Sequence, residues 1–193
     1  MKKDTLIGRD KELGFLSSSL SSGGHLRAGL IKGAHGMGKT ALLEAVEQSL
    51  LEREESHLLL SPKVDDSLDP ITFCTSLVRT ARSSRGNTSL GLHKFARTWG
   101  SRVIELAKNK ISAKEETSAD GGLAETWVKI LEESMHEDGV QPTNITPVII
   151  IDDLEQYPDR TIDWLTSSFN QAIRNSDLFK KARFLFSSET HDE

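Results

Sequence analysis

Residues 30–46, LIKGAHGMGKTALLEAV, set Gly33, Gly38, Lys39 and Thr40 in the spacing G-x-x-x-x-G-K-[ST], with Gly36 as a further residue lacking a side chain. A phosphate chain needs several donors converging on one point, and glycines let successive backbone N–H groups turn inward with no Cβ in the way. The helix N-terminus that follows adds its partial positive charge. Lys39 would reach the β- and γ-phosphates as a mobile cation, while the Thr40 hydroxyl would ligate Mg²⁺. The expected nucleotide contacts of the loop are Gly33, Gly36, Met37, Gly38, Lys39, Thr40 and Ala41.

A second stretch, PVIIIDDLE at residues 147–155, carries four consecutive aliphatics that end in two aspartates. This is the pattern of a fully buried parallel strand with carboxylates at its C-terminal end. In P-loop proteins an acid at that place holds the Mg²⁺, a role that falls to Asp152. Asp153 stands where many hydrolysing proteins of this class carry Glu to orient the attacking water. One methylene shorter, it predicts slow hydrolysis, with Lys39 and Asp153 as the expected catalytic residues. Glu155 reads as a solvated turn acid.

These residues need elements to position them. Apolar spacing and breakers predict a helix over 9–20, a strand over 26–31, the glycine loop, a helix over 39–53 and a strand over 57–60. Helical stretches over 69–85, 92–110 and 123–137 follow, separated by SSRGNTS and ISAKEETSADGG, the second of which has the composition of a disordered loop. A strand over 148–151, a helix over 161–175 and a strand over 183–186 complete the order. Strands alternating with helices predict an α/β fold, a parallel sheet with helices on both faces and a helical insertion between the second strand and the PVIIIDDLE strand. Both chemical motifs then sit at the carboxyl ends of strands, where such folds bind ligands.

At 193 residues the chain is long enough for one α/β core and short for two. With 36% hydrophobic and 27% charged residues and no long apolar run, it carries no membrane span. The opening MKKDTLIGRD lacks the apolar segment of a secretory signal, so a cytoplasmic location is expected. Cys74, the single cysteine, has no partner to pair with and reads as a small core residue. The six histidines include no i, i+4 pair, so no metal other than Mg²⁺ is expected, and His35 occupies a variable position of the loop.

Four segments together resemble the ASCE branch of P-loop NTPases, and within it the STAND ATPases and their AAA+ relatives. LIGRDKELGFL (6–16) is similar to the hydrophobic-Gly-Arg-x-x-Glu-Leu motif upstream of the P-loop, GAHGMGKT to Walker A, VIIIDDLE to the Asp-Asp form of Walker B, and RFLFSSE to the sensor 1 strand. The resemblance implies one P-loop ATPase core over 1–193 in ASCE order. Within it, 1–24 is an adenine-side segment, 25–62 the Walker A unit, 63–146 a helical insertion and 147–193 the Walker B and sensor 1 unit. It implies ATP or ADP with Mg²⁺ as ligands, Leu6, Ile7 and Gly8 beside the adenine, and a sensor polar group at Ser187 or Ser188, of which Ser188 is the expected nucleotide contact. NB-ARC domains often carry Arg where this chain has Glu189, so a sensing cation does not carry over to that position. In the family a fifth strand and a helical lid follow sensor 1, and the expectation is of a nucleotide-binding core cut from a larger protein, with a core whose site a partner completes as the alternative.

Between Ile71 and Lys114, nine Lys/Arg face the single acid Glu105, a net +8 within a chain of net −5, which leaves −13 on the remainder. Arg79, Arg82, Arg97 and Arg102 could form one electropositive face toward a nucleic-acid backbone; solvated helix faces matched by acidic neighbours are the alternative. Trp99, Trp127 and Trp164 fall in helical patterns and read as core. Three functions follow: a slowly hydrolysing nucleotide switch of the STAND kind acting with protein partners or by self-association, an AAA+-like loader binding DNA through residues 79–114, or a small-molecule P-loop kinase.

Overall fold

A computed structural model of the chain describes residues 8–21, 23–53, 55–64, 69–83, 93–104, 122–137 and 145–190. Its sheet is built from β1 (Ala28–Gly33), β2 (His57–Leu60), β3 (Arg82–Ser83), β4 (Thr146–Ile151) and β5 (Arg183–Glu189). Their order is β1-β5-β4-β2-β3, parallel throughout except for β3, which runs antiparallel to β2. The last strand in sequence is therefore inserted between the strand that feeds the glycine loop and the strand that ends in Asp152.

Every residue of β2 and β4 is buried, as expected of near-continuous aliphatic runs covered on both faces. The two-residue period of the strands sends their side chains into two cores. On one face Leu59, Val148, Ile150 and Leu185 meet Leu42, Leu43, Val46 and Leu50 of α2 (Lys39–Leu51), with α1 (Asp10–Ser19) packed alongside. Each of those α2 residues contributes about 1.5–3 kcal/mol by burial, so the P-loop helix is held to the sheet by its apolar stripe. On the other face Leu58, Leu60, Ile149 and Ile151 meet α3 (Pro70–Thr80), α4 (residues 93–104), α5 (Leu123–Glu137) and the helical run that begins with α6 (Asp159–Trp164).

That run continues through a π segment, Leu165–Phe169, into α7 (Asn170–Asn175). Residues five apart lie about 140° apart around an α-helix, whereas the wider i→i+5 turn brings them toward one side. Trp164 and Phe169 accordingly both reach Phe73, with ring centroids at 6.1 and 5.9 Å, and lie 5.1 Å from each other. Trp99 and Trp127 are buried as expected, and their indole N–H groups donate to Thr75 Oγ1 and to the Cys74 carbonyl, both at 3.2 Å. Cys74 is itself in the core, where burial pushes its thiol pKa well up.

The helix expected over 69–85 starts as predicted but stops early. Asp69 accepts from the Ile71 and Thr72 amides while Thr72 Oγ1 accepts from the Asp69 amide, a reciprocal cap with Pro70 in the first turn. At Ala81 the backbone turns extended, and Arg82–Ser83 pair with Leu59 and Leu58 of β2. Two residues carry no readable alternation, and what holds them is tertiary: Glu47 of α2, buried, accepts from both Arg82 Nη2 and Ser61 Oγ. The first strand begins at Ala28 rather than Leu26, because the Leu26 amide bonds to the Ser19 carbonyl and its side chain packs by α1. The loop read as disordered lies outside the described residues but for Gly122.

Candidate functional site

Gly36 and Gly38 adopt left-handed backbone, φ 75° and 74°, and a Cβ on either would enter open space. An L-residue pays for that conformation, so glycine here keeps the loop both turned and bare. Gly38 is the N-cap of α2 with no side-chain cap, and the first turn has no acid, so the open amides and positive end of a 13-residue helix are uncompensated. Lys39 is 6% exposed, and its ammonium donates to the Gly33 carbonyl at 2.9 Å and the Ala34 carbonyl at 3.2 Å. The side chain thus straps the loop from inside. Met37 closes a turn onto Ala34, its amide donating at 3.3 Å, with its side chain exposed, and Thr40 is exposed at the helix start.

Asp152 follows β4, two strands away. Its Oδ1 accepts from Ser187 Oγ of β5 and from the Asp153 amide at 3.1 Å, and that amide also reaches Ser187 Oγ at 2.9 Å. Ser187 is fully buried. Asp153 is left-handed, φ 47° and ψ 59°, a conformation Asp tolerates better than most residues, and its Oδ2 accepts from Gln156 Nε2 at 3.0 Å. Burial raises the Asp153 carboxyl pKa, and Asp152, Glu155 and Glu189 push in the same direction against Lys39. Lys39 and Asp153 therefore share one electrostatic neighbourhood.

β5 joins the two halves. Its register sets Lys32 against Ser188 and Gly33 against Glu189, and the Thr190 amide reaches the Gly33 carbonyl at 3.3 Å. Glu189 Oε1 lies 2.8 Å from Nδ1 of His35. Of the two β5 serines, Ser187 is the one in contact with Asp152, while the Ser188 hydroxyl turns to the Glu189 carbonyl at 3.3 Å. Gly8 is exposed with φ 87°, and Leu6 and Ile7 lie outside the described residues. Glu155 is exposed in a short 3₁₀ turn, Leu154–Gln156. Arg174 is an exposed α7 residue bonded to Asn170 Oδ1 at 3.1 Å.

The geometry shows contacts that spacing did not. The Ser187 and Glu189 pairings depend on β5 lying between β4 and β1, and the hints in sequence were the resemblance carried by RFLFSSE and its polar ending. Arg82, read as part of an electropositive face, is instead paired with Glu47.

The hydroxyl and carboxylate of Thr40 and Asp152 are hard oxygen donors of the kind Mg²⁺ takes, and the bare left-handed loop ahead of an uncapped helix suits phosphate. A family model described as an AAA ATPase domain matches residues 5–175, a span that includes the glycine loop and Asp152 and ends before β5. None of the curated proteins compared matches the chain.

Proposed function

The chain belongs to the AAA ATPase domain family, and from that premise we propose that it binds ATP and ADP with Mg²⁺ at the loop 33–41 and acts as a slowly hydrolysing nucleotide switch of the STAND kind. The observation that carries the reading is the arrangement around Lys39: a glycine cradle at a bare helix start, facing the Asp152–Asp153 pair across the sensor strand. On this reading the loop amides hold the phosphate chain, and Lys39 exchanges its carbonyl partners Gly33 and Ala34 for phosphate oxygens. Thr40 and Asp152 hold the Mg²⁺, which when bound offsets phosphate charge. Ser187 fixes the Asp152 carboxylate, and Ser188, Ile7 and Gly8 are the further nucleotide contacts that this reading assigns.

Slow turnover is supported by Asp153. It is shorter than Glu, turned by its left-handed backbone, tied to Gln156 and set among acids that make its carboxylate costly. A water-orienting base must come within hydrogen-bond reach of the water, and these constraints work against it. A switch needs bound states that persist, which slow hydrolysis supplies, and action within a larger protein with partners or other copies fits that role. DNA loading through the basic insertion draws less support, since Arg82 is taken up by Glu47. A small-molecule kinase has no observation in its favour.

The test is the thermal midpoint with Mg-ADP and Mg-ATP, in the intact chain and in Lys39→Ala. A ligand at 100 times its dissociation constant adds about 2.7 kcal/mol by linkage, a rise of several degrees in a domain this size. The rise should vanish in the variant. Equal midpoints with and without nucleotide at millimolar concentration would overturn the reading.

A further inference from the structure

Glu189 is an odd residue to find at a phosphate site. The register that pairs it with Gly33 brings a carboxylate to the rim of the glycine loop, and its charge is felt at Asp153. Its side chain is about one quarter exposed, and the facing His35 ring is almost wholly exposed, 95% of it. The pair joins position three of the loop to the last residue of β5, 154 residues apart in sequence, with Nδ1 and Oε1 at 2.8 Å.

The charges around it are unbalanced. Lys39 stands on α2 and Lys32 on β1, while Asp152, Asp153 and Glu155 follow β4 and Glu189 ends β5. A phosphate chain entering this mouth meets Glu189 as a like charge, with the carboxylate held there by the His35 ring.

We infer that Glu189, held at the loop rim by its contact with His35, lowers the affinity of the loop for the phosphate chain. The inference rests on the nucleotide reading above. It differs in sign from a purely mechanical role for the pair: if the bridge served to order the loop, removing the carboxylate charge would weaken binding, whereas here it strengthens it.

The experiment is calorimetric titration with Mg-ADP and with a non-hydrolysable Mg-ATP analogue in the intact chain, Glu189→Gln and Lys39→Ala. Glu189→Gln should bind on the order of tenfold more tightly than the intact chain, the scale expected for one unit charge near a partly solvated partner. Unchanged or weaker binding in Glu189→Gln, in a protein whose binding is lost with Lys39→Ala, would overturn this inference and leave the nucleotide reading standing. Absence of binding in the intact chain would sink both.

Discussion

Ser187 Oγ donates to Asp152 Oδ1, joining the end of β5 to the end of β4 at a fully buried hydroxyl. The same oxygen accepts from the Asp153 amide, so one serine orients the acid and the turn that follows it. Ser187→Ala removes one hydrogen bond from the Asp152 carboxylate and one from the Asp153 amide, which still bond to each other, at a cost of about 1–3 kcal/mol. The expected midpoint drop is several degrees. A threonine that keeps the hydroxyl should recover part of it, while a midpoint within a degree of wild type would mean the bond contributes nothing.

Gly38→Ala separates backbone strain from binding. Its left-handed φ costs an L-residue about 1–2 kcal/mol, yet a Cβ there touches nothing within 4 Å. The variant should fold with a slightly lower midpoint and lose the stabilisation by Mg-ADP. Retention of the full ligand shift would show that this position does not face the phosphates.

Asp153→Asn tests the crowded carboxyl. A raised acid pKa in the fold means the native state prefers the proton. The stabilising contribution is therefore present below the ordinary carboxyl range and lost as pH rises through the raised value, leaving repulsion at neutral pH. Asn keeps the left-handed turn without the charge. At pH 7 it should raise the midpoint by well under about 1 kcal/mol equivalent, given solvent screening, and the gain should shrink in acid. A destabilised variant at pH 7 would contradict this account.

His57 opens β2 and is buried, and desolvation lowers its pKa despite Glu55 at 3.5 Å. A lowered histidine pKa contributes stability that is present above the ordinary value, about 6.5, and lost as pH falls below it toward the folded value. Melting curves between pH 8 and pH 5 should show a decline that is flatter in His57→Gln. Parallel curves for the two proteins would remove His57 from the pH response.

Much of the fold was legible because it is written in local pattern. The α5 boundaries 123–137, the β2 boundaries 57–60 and the start of a helix at Asp69 follow from apolar spacing and start signals. The glycine loop and the Asp-Asp pair were legible for a related reason: phosphate and metal chemistry demands particular residue types at short, fixed spacing. β3 was not, since two residues hold no period and only the buried Glu47 explains why Arg82 lies there. Nor was the π segment, whose value is that Trp164 and Phe169 both reach Phe73.

The sequence by itself determined the cradle, its lysine, the two aspartates and the alternating α/β order. Only the tertiary structure decided which residues stand around them, because strand order is a matter of long-range pairing that no local spacing encodes. Inserting β5 between β1 and β4 brings Ser187 to Asp152 and Glu189 to His35, contacts that span 35 and 154 residues. The groups expected to do the chemistry are local in sequence; the groups that orient and bias them are brought in by the sheet.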